Sequence, residues 1–168
     1  MVTPSDASTD ADVDRGAALR LSRPSVRFTP VRRWVVRTVS ELHAVRGEVR
    51  DEVTHGARGG GDPQLDQVAD DAALIATELV TNAIRHGRPP VLVLLLRDDA
   101  RFLLSVGDRA RGSAPRLAGT RPAGKGGFGL HIVRRLSRDL GWFRTGAAKV
   151  VWAEVGPARF TGRHGLPG

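Results

Sequence analysis

The chain has 168 residues, 26 Lys and Arg against 18 Asp and Glu, a formal net charge of +8, and no cysteine. This length supports one domain with a buried core, and the absence of cysteine excludes disulfides and thiolate metal sites. No apolar run approaches the roughly 20 residues of a membrane helix, and the first residues do not resemble a secretory signal, so we expect a cytoplasmic protein that does not bind membranes. Aromatic residues make up only 5% of the chain and Tyr is absent, which argues against stacking on nucleic-acid bases.

Composition predicts one folded domain between two tails. Residues 1–22 are small, polar and acidic and are predicted to form a disordered N-terminal tail. The domain is expected over residues 23–157, and residues 158–168, rich in Gly and Pro, are expected to form a flexible C-terminal tail. Within the domain, β-branched residues over 34–39 predict a first strand. Ser40 is the predicted cap of a helix whose apolar stripe is Leu42, Val45, Val49 and Val53.

The main helix is predicted over residues 65–86, ended by Gly87 and two prolines. Glu78, Asn82 and His86 are spaced at i, i+4 and i+8, which aligns them along one face of this helix. An acid, an amide and an imidazole beside a buried face indicate a site, although a solvated helix edge would show the same spacing. The role of His86 stays open between a neighbour of the ligand and a cation at the helix end. The adjoining stripe that would face the core is Val68, Ala72, Ile75, Leu79 and Ala83.

The second half of the chain predicts two hairpins separated by a loop and a helix. Residues 91–97 and 101–106 form the first hairpin, and the residues from 107 to 127 show no periodicity. A helix is predicted over 128–140, followed by strands at 142–145 and 150–155. The predicted fold class is therefore α/β, a two-layer sandwich with a mixed sheet covered on one face by about three helices.

Two further stretches carry candidate chemistry. Asp108 ends an apolar strand at the mouth of the long loop, where its carboxylate could accept a hydrogen bond from a ligand's amino group. A glycine-rich run precedes the last helix, where glycines and free N–H groups can receive phosphates. The run lacks the ending of a P-loop, and an ordinary loop would also account for it. Its residues are Gly124, Lys125, Gly126, Gly127 and Gly129.

In this order, residues 78–87 (ELVTNAIRHG), 106–112 (VGDRARG) and 124–130 (GKGGFGL) resemble the N, G1 and G2 boxes of the histidine-kinase-like ATPase superfamily. This superfamily has the Bergerat ATP-binding fold. The small single domain, the form of the first box and the closing residues 150–154 are similar to the anti-sigma-factor serine/threonine kinases (SpoIIAB- and RsbW-like) of actinomycetes. The resemblance covers about residues 26–156.

The resemblance implies ATP and Mg²⁺ as cofactors and a role for each matching residue. Asn82 corresponds to the residue that binds Mg²⁺, and Glu78 to the general base. Asp108 corresponds to the carboxylate that binds the adenine amino group and selects ATP over GTP, and Gly112 to the loop beside adenine. The glycines at 124, 126, 127 and 129 correspond to the lid that receives the phosphates. Lys125 and Arg121 are expected near the phosphates because of their charge and position.

Two positions depart from the family pattern. Ala110 replaces the first glycine of Asp-x-Gly-x-Gly, so its Cβ is expected to crowd adenine or to forbid a positive φ. Ala148 and Lys149 stand where this branch often has a Thr or Ser that helps to hold adenine. Neither departure affects Glu78 or Asn82.

The leading hypothesis is an anti-sigma factor that phosphorylates a serine of an anti-anti-sigma (STAS-type) partner and binds a sigma factor. Relatives often form homodimers, and the sequence leaves open whether this chain does. The main alternative is a catalytically silent module that uses nucleotide only to bind a partner. A basic nucleic-acid-binding protein is a weaker alternative, and salt-dependent DNA binding indifferent to ATP would identify it. A sensor histidine kinase fragment is disfavoured because Ala44 follows His43 where an acid usually stands.

Overall fold

The computed structural model describes residues 19–56, 62–110, 112, 114–115 and 129–157. They form a five-stranded sheet in the order β1-β2-β3-β5-β4 and three α-helices. The elements are β1 (Thr29–Val36), α1 (Leu42–Gly56), α2 (Pro63–His86), β2 (Val91–Asp98), β3 (Arg101–Asp108), α3 (Gly129–Leu136), β4 (Asp139–Arg144) and β5 (Lys149–Val155). The predicted two-layer α/β sandwich is confirmed.

The sheet is antiparallel rather than mixed as predicted, because every neighbouring pair of strands runs antiparallel. Helix α3 links β3 to β4, and these two strands point the same way, but β5 lies between them and prevents a parallel ladder. Among the described residues the parallel contact is a single bridge between Leu21 and Trp142.

One face of the sheet carries all three helices and the main core. Alternate side chains of β2 and β3 point towards the helices, as the two-residue period of a strand requires. Both helix stripes predicted from the sequence are buried, and together with the strands they form one continuous cluster. Members of this cluster from the sheet include Val91, Val93, Leu95, Phe102, Leu104 and Val106.

Helix α2 begins and ends at residues suited to those positions. Asp62 accepts a hydrogen bond from the N–H of Gln64 at 3.0 Å, and Pro63 occupies the first turn, where its missing N–H costs nothing. The helix ends at His86, and the Gly87 N–H donates to the Ala83 carbonyl at 3.0 Å. The predicted helix is therefore confirmed, two residues longer at its start.

Two predicted boundaries are wrong for tertiary reasons. The first strand begins at Thr29 rather than residue 34, because pairing with β2 extends it across a bulge. Helix α3 ends at Leu136, and Leu140 lies in β4 instead of on a helical stripe. The Ser137 hydroxyl donates to the Val133 carbonyl at 2.6 Å, and the Arg138 N–H donates to the Glu154 carbonyl at 2.7 Å, which turns the chain into the sheet.

Helix α1 is preceded by a short 3-10 turn (Val39–Glu41) whose cap is Thr38 rather than Ser40 as predicted. The Glu41 carboxylate accepts hydrogen bonds from the N–H of Arg37 at 2.6 Å and of Thr38 at 3.3 Å. These bonds, the one from Arg37 first, hold the pKa of Glu41 below its usual value because they stabilise the charged form.

Residues 19–28 form a strap that continues the sheet past β4 and then covers its other face. Leu19 is buried, and its carbonyl accepts a hydrogen bond from Trp142 Nε1 at 3.0 Å. Trp152 Nε1 donates to the Ser22 carbonyl at 2.7 Å, and Phe28 packs against Leu103 and Trp152. Of the predicted N-terminal tail, residues 1–18 lie outside the described residues. Residues 19–22 are described and contact the domain. The predicted C-terminal tail, 158–168, also lies outside the described residues.

Candidate functional site

Glu78 and Asn82 lie one turn apart on α2, and both are half-buried at the edge of the apolar stripe. This placement follows from the helical period, which sets side chains at i and i+4 about 5–6 Å apart. The half-burial keeps a carboxylate and an amide accessible beside a rigid apolar wall.

The Glu78 carboxylate lies against the first residue of α3. A Cβ built on Gly129 would collide with Glu78 Oε2 and would lie 3.6 Å from the Glu78 Cβ. A larger residue at this position would push the end of the Glu78 side chain aside. The contact also places Glu78 at the end of α3 where free N–H groups carry partial positive charge.

Asp108, the last residue of β3, is buried with 3% of its surface exposed. Its Oδ1 accepts a hydrogen bond from the Ala110 N–H at 2.7 Å, which fixes the turn that follows the strand. Its Oδ2 lies 3.2 Å from Lys149 Nζ, and this ammonium is itself buried. Asp108 is thus a rigidly held carboxylate whose charge is balanced inside the protein.

The end of α2 packs closely against Asp108 at Gly87. A Cβ at Gly87 would lie 2.5 Å from Asp108 Cγ and 2.7 Å from Oδ1, and it would also collide with the Ala83 carbonyl. Nearby, the Arg109 N–H donates to the Arg88 carbonyl at 3.1 Å. The glycine is required for this close approach and not for its backbone conformation, since its φ is −105°.

These contacts place chemical groups at two levels along α2, with a different chemistry at each end. Glu78 meets α3, and nine residues later Gly87 meets Asp108, a separation of about 13.5 Å along the helix axis at 1.5 Å per residue. Asn82 lies between them. One end presents the buried carboxylate of Asp108, and the other presents the half-buried carboxylate and amide of Glu78 and Asn82.

The sequence marked Lys149 as a departure from the family pattern, but it did not predict the pairing of Lys149 with Asp108. Lys149 stands directly opposite Asp108 in the β3–β5 ladder, and both side chains point to the helix side of the sheet. The signal available in the sequence was its rarity, because Lys149 and Lys125 are the two lysines of the chain and Lys149 starts an apolar strand. Its alignment with Asp108 depends on the register of two strands that are distant in sequence.

Ala110 does not carry the strain expected from the missing glycine. Among the described non-glycine residues a positive φ occurs at Asp99, in the β2–β3 turn, and not at Ala110. Its N–H makes the bond to Asp108 described above, so alanine satisfies the backbone geometry of this turn.

Part of the predicted site lies outside the described residues. This part contains Gly124, Lys125, Gly126 and Gly127, together with Arg121. Gly112 is described and exposed, and no atom of the described residues lies within 4 Å of a Cβ built on it. His86 is exposed in the last turn of α2, where the helix dipole would stabilise a cation.

Asn82 offers one amide oxygen to a metal ion, and the described residues contain no group of three His, Cys, Asp or Glu side chains that could hold one. This donor set fits Mg²⁺, which commonly binds through one or two protein oxygens while phosphates and water supply the rest.

Two open pockets in the described part of the chain lie beside the strap rather than beside α2. One of about 560 Å³ is lined by Leu21, Ser22, Arg23, Trp142, Phe143 and Arg144. A second of about 400 Å³ lies between the strap, the end of α3 and β4. We place the functional site along α2 because the acid and the amide lie on this helix and the buried carboxylate lies against its end.

No helix in the described part of the chain is long and apolar enough to cross a membrane. A curated relative, the multidrug resistance protein MdtC of Erwinia tasmaniensis, is 29% identical over 147 residues. This match covers 80% of the present chain but only 14% of that protein.

A family model described as the histidine kinase-like ATPase domain matches residues 29–155, from the start of β1 to the end of β5. The match includes both ends of the site along α2. The chain therefore belongs to the histidine kinase-like ATPase domain family, whose members bind ATP.

Proposed function

We propose that this protein is an ATP- and Mg²⁺-dependent serine/threonine kinase that acts as an anti-sigma factor. In this proposal it transfers the γ-phosphate of ATP to a serine of an anti-anti-sigma (STAS-type) protein and binds a sigma factor in alternation. The observation that carries the catalytic part is the position of Glu78, half-buried one turn from Asn82 and in contact with the first residue of α3. The sequence of the first box supports the anti-sigma part.

Glu78 would act as the general base. Its carboxylate takes the proton from the serine hydroxyl as the serine oxygen bonds to the γ-phosphorus, and the bond from that phosphorus to the bridging oxygen breaks to release ADP. The contact with Gly129 limits the positions of the carboxylate, which favours the alignment that such a transfer needs. Bound Mg²⁺ would neutralise phosphate charge, with Asn82 as its protein ligand.

The base of ATP would lie at the other end of α2, where Asp108 can accept a hydrogen bond from the amino group. Gly87 permits this arrangement because it lets the carboxylate approach the end of the helix. Asp108 keeps capacity for a further bond, since a carboxylate has about four acceptor positions and the described partners are Ala110 and Lys149.

The alternative is a catalytically silent module that binds nucleotide in order to bind its partner. The observation that favours it is the Lys149–Asp108 pair, which supplies Asp108 with a counter-charge where the related kinases often have a hydroxyl. Both proposals require nucleotide binding, and they differ in whether Glu78 is needed for function.

The first experiment is calorimetric titration of the full chain with ATP, with and without Mg²⁺, beside Asn82→Ala. We expect Mg²⁺-dependent binding that the variant loses. An absence of heat at millimolar ATP would refute both proposals.

The second experiment separates kinase from silent module. Glu78→Gln, which keeps size and removes the base, should abolish transfer of label from γ-labelled ATP to an anti-anti-sigma protein while ATP binding persists. Asp70→Asn is the matched control, because Asp70 is an exposed acid of the same helix that pairs with Arg50 away from the site. A Glu78→Gln variant that transfers phosphate at the normal rate would exclude Glu78 as the base.

A further inference from the structure

The end of the site at Asp108 contains a buried cation, Lys149, where the sequence predicted a carboxylate alone. Lys149 and Asp108 are 7% and 3% exposed, and 3.2 Å separates Lys149 Nζ from Asp108 Oδ2. Because the two residues are register partners in neighbouring strands, the rigid sheet fixes their spacing. The pair therefore presents a hydrogen-bond acceptor and a hydrogen-bond donor side by side.

An ammonium has three N–H donors, and Asp108 engages one of them. The described residues supply Lys149 with no second carboxylate within 4 Å. Buried donors and acceptors need partners, so a ligand base that reaches Asp108 also meets an ammonium that can donate to it. Gly87 keeps the end of α2 close to this pair and leaves no side chain between them.

A carboxylate alone discriminates sharply at position 6 of a purine. It accepts a hydrogen bond from the 6-amino group of adenine, whereas a 6-oxo group would face it as a second acceptor. Sites built on one such polar contact reject the wrong analogue strongly, because a buried group is then left unpaired. An adjacent ammonium removes this penalty, since it can donate to the 6-oxo group while the base N1–H donates to the carboxylate.

We propose that Lys149 is a base-reading residue which, paired with Asp108, lets the site accept 6-oxopurine nucleotides as well as adenine nucleotides. Adenine presents a donor at the 6-amino group and an acceptor at N1. A 6-oxopurine presents an acceptor at O6 and a donor at N1. A fixed acceptor and donor can match both bases when the 6-oxopurine turns over in the site, so that N1–H faces Asp108 and O6 faces Lys149. This inference rests on the proposed nucleotide binding and replaces the strict selection of ATP that Asp108 alone would impose.

The test measures dissociation constants of the full chain for ATP and for inosine triphosphate in the presence of Mg²⁺. Inosine triphosphate has the 6-oxo group and lacks a 2-amino group, so the comparison isolates position 6. We expect the wild-type affinities for the two nucleotides to agree within about tenfold. A wild-type protein that binds ATP but binds inosine triphosphate more than tenfold more weakly would overturn the inference and leave nucleotide binding intact.

Lys149→Met removes the ammonium and keeps much of the side-chain volume. We expect it to weaken inosine triphosphate at least about tenfold more than ATP, the range of one hydrogen bond to a charged group. Lys149→Arg, which keeps the charge and donors, should retain the wild-type ratio. An unchanged ratio in Lys149→Met would overturn the inference, and if that variant does not fold, the wild-type ratio decides.

Arg144→Met is the matched control for general electrostatics. Arg144 is the register partner of Lys149 on its other side, in β4, but it is exposed and its guanidinium lies over Trp142, 5.1 Å from the ring centre. Loss of the Arg144 guanidinium should leave the ratio of the dissociation constants for ATP and inosine triphosphate unchanged. A shift in this ratio equal to that in Lys149→Met would overturn a specific role for Lys149. If neither nucleotide binds the wild-type protein, the proposed function falls together with this inference.

Discussion

Replacement of Gly87 by alanine tests whether the close approach between α2 and Asp108 holds the site together. The new Cβ would lie 2.5 Å from Asp108 Cγ and 2.7 Å from Oδ1, and would collide with the Ala83 carbonyl. None of these atoms lies at the end of a flexible side chain that could move aside to make room for the new Cβ. The carbonyl accepts the bond that ends α2, and the carboxylate is held by Ala110 and Lys149.

Overpacking of this kind costs about 1–3 kcal/mol, and the absence of a yielding neighbour places Gly87→Ala in the upper part, at about 2–3 kcal/mol. For a chain of this size each kcal/mol shifts the melting temperature by about 2–4 °C, so we expect a fall of about 4–12 °C. Urea unfolding followed by circular dichroism measures the free energy of unfolding directly. The same variant should lose affinity for ATP, because Asp108 must move.

Gly47→Ala is the matched control. Gly47 is exposed in α1, and no atom lies within 4 Å of a Cβ built on it, so alanine should stabilise the helix by about 0.5–1 kcal/mol. A Gly87→Ala variant as stable as the wild type would refute the reasoning. It would mean that the end of α2 and β3 are not held at the distance described.

Three further predictions follow from other contacts. Asp108→Asn and Lys149→Met should each destabilise the fold by about 3–5 kcal/mol, because each leaves a buried charge unpaired. The double variant should recover much of this loss. Purely additive effects in a double-mutant cycle would contradict the buried pair. The folded-state pKa of Glu41 is lowered, so the contribution of Glu41 to stability should be complete above the unfolded-state pKa and should disappear as the pH falls through the folded-state pKa. An NMR titration of this carboxyl with an ordinary midpoint would refute the capping contacts. Trp142→Phe removes the hydrogen bond to the Leu19 carbonyl, so it should cost about 0.5–1.5 kcal/mol and speed proteolysis within the strap; an unchanged cleavage rate would show that the bond does not hold it.

The sequence by itself determined the parts of the protein that depend on local periodicity. The stripes of α1 and α2 are buried as predicted, because a helix repeats every 3.6 residues whatever it packs against. The same period placed Glu78 and Asn82 together. The hairpin of β2 and β3 was also evident, since its two strands are joined by a short turn with no intervening element.

Only the tertiary structure decided the contacts between segments that are distant in the chain. The pairing of Asp108 with Lys149 depends on the register of β3 against β5, which are separated by α3 and β4. The end of α3 at Leu136, the contact of Gly87 with Asp108, and the packing of residues 19–22 on β4 are likewise set by the partner and not by the segment itself. Strand pairing is a non-local choice, so the Asp108–Lys149 pair became visible only when the sheet was assembled.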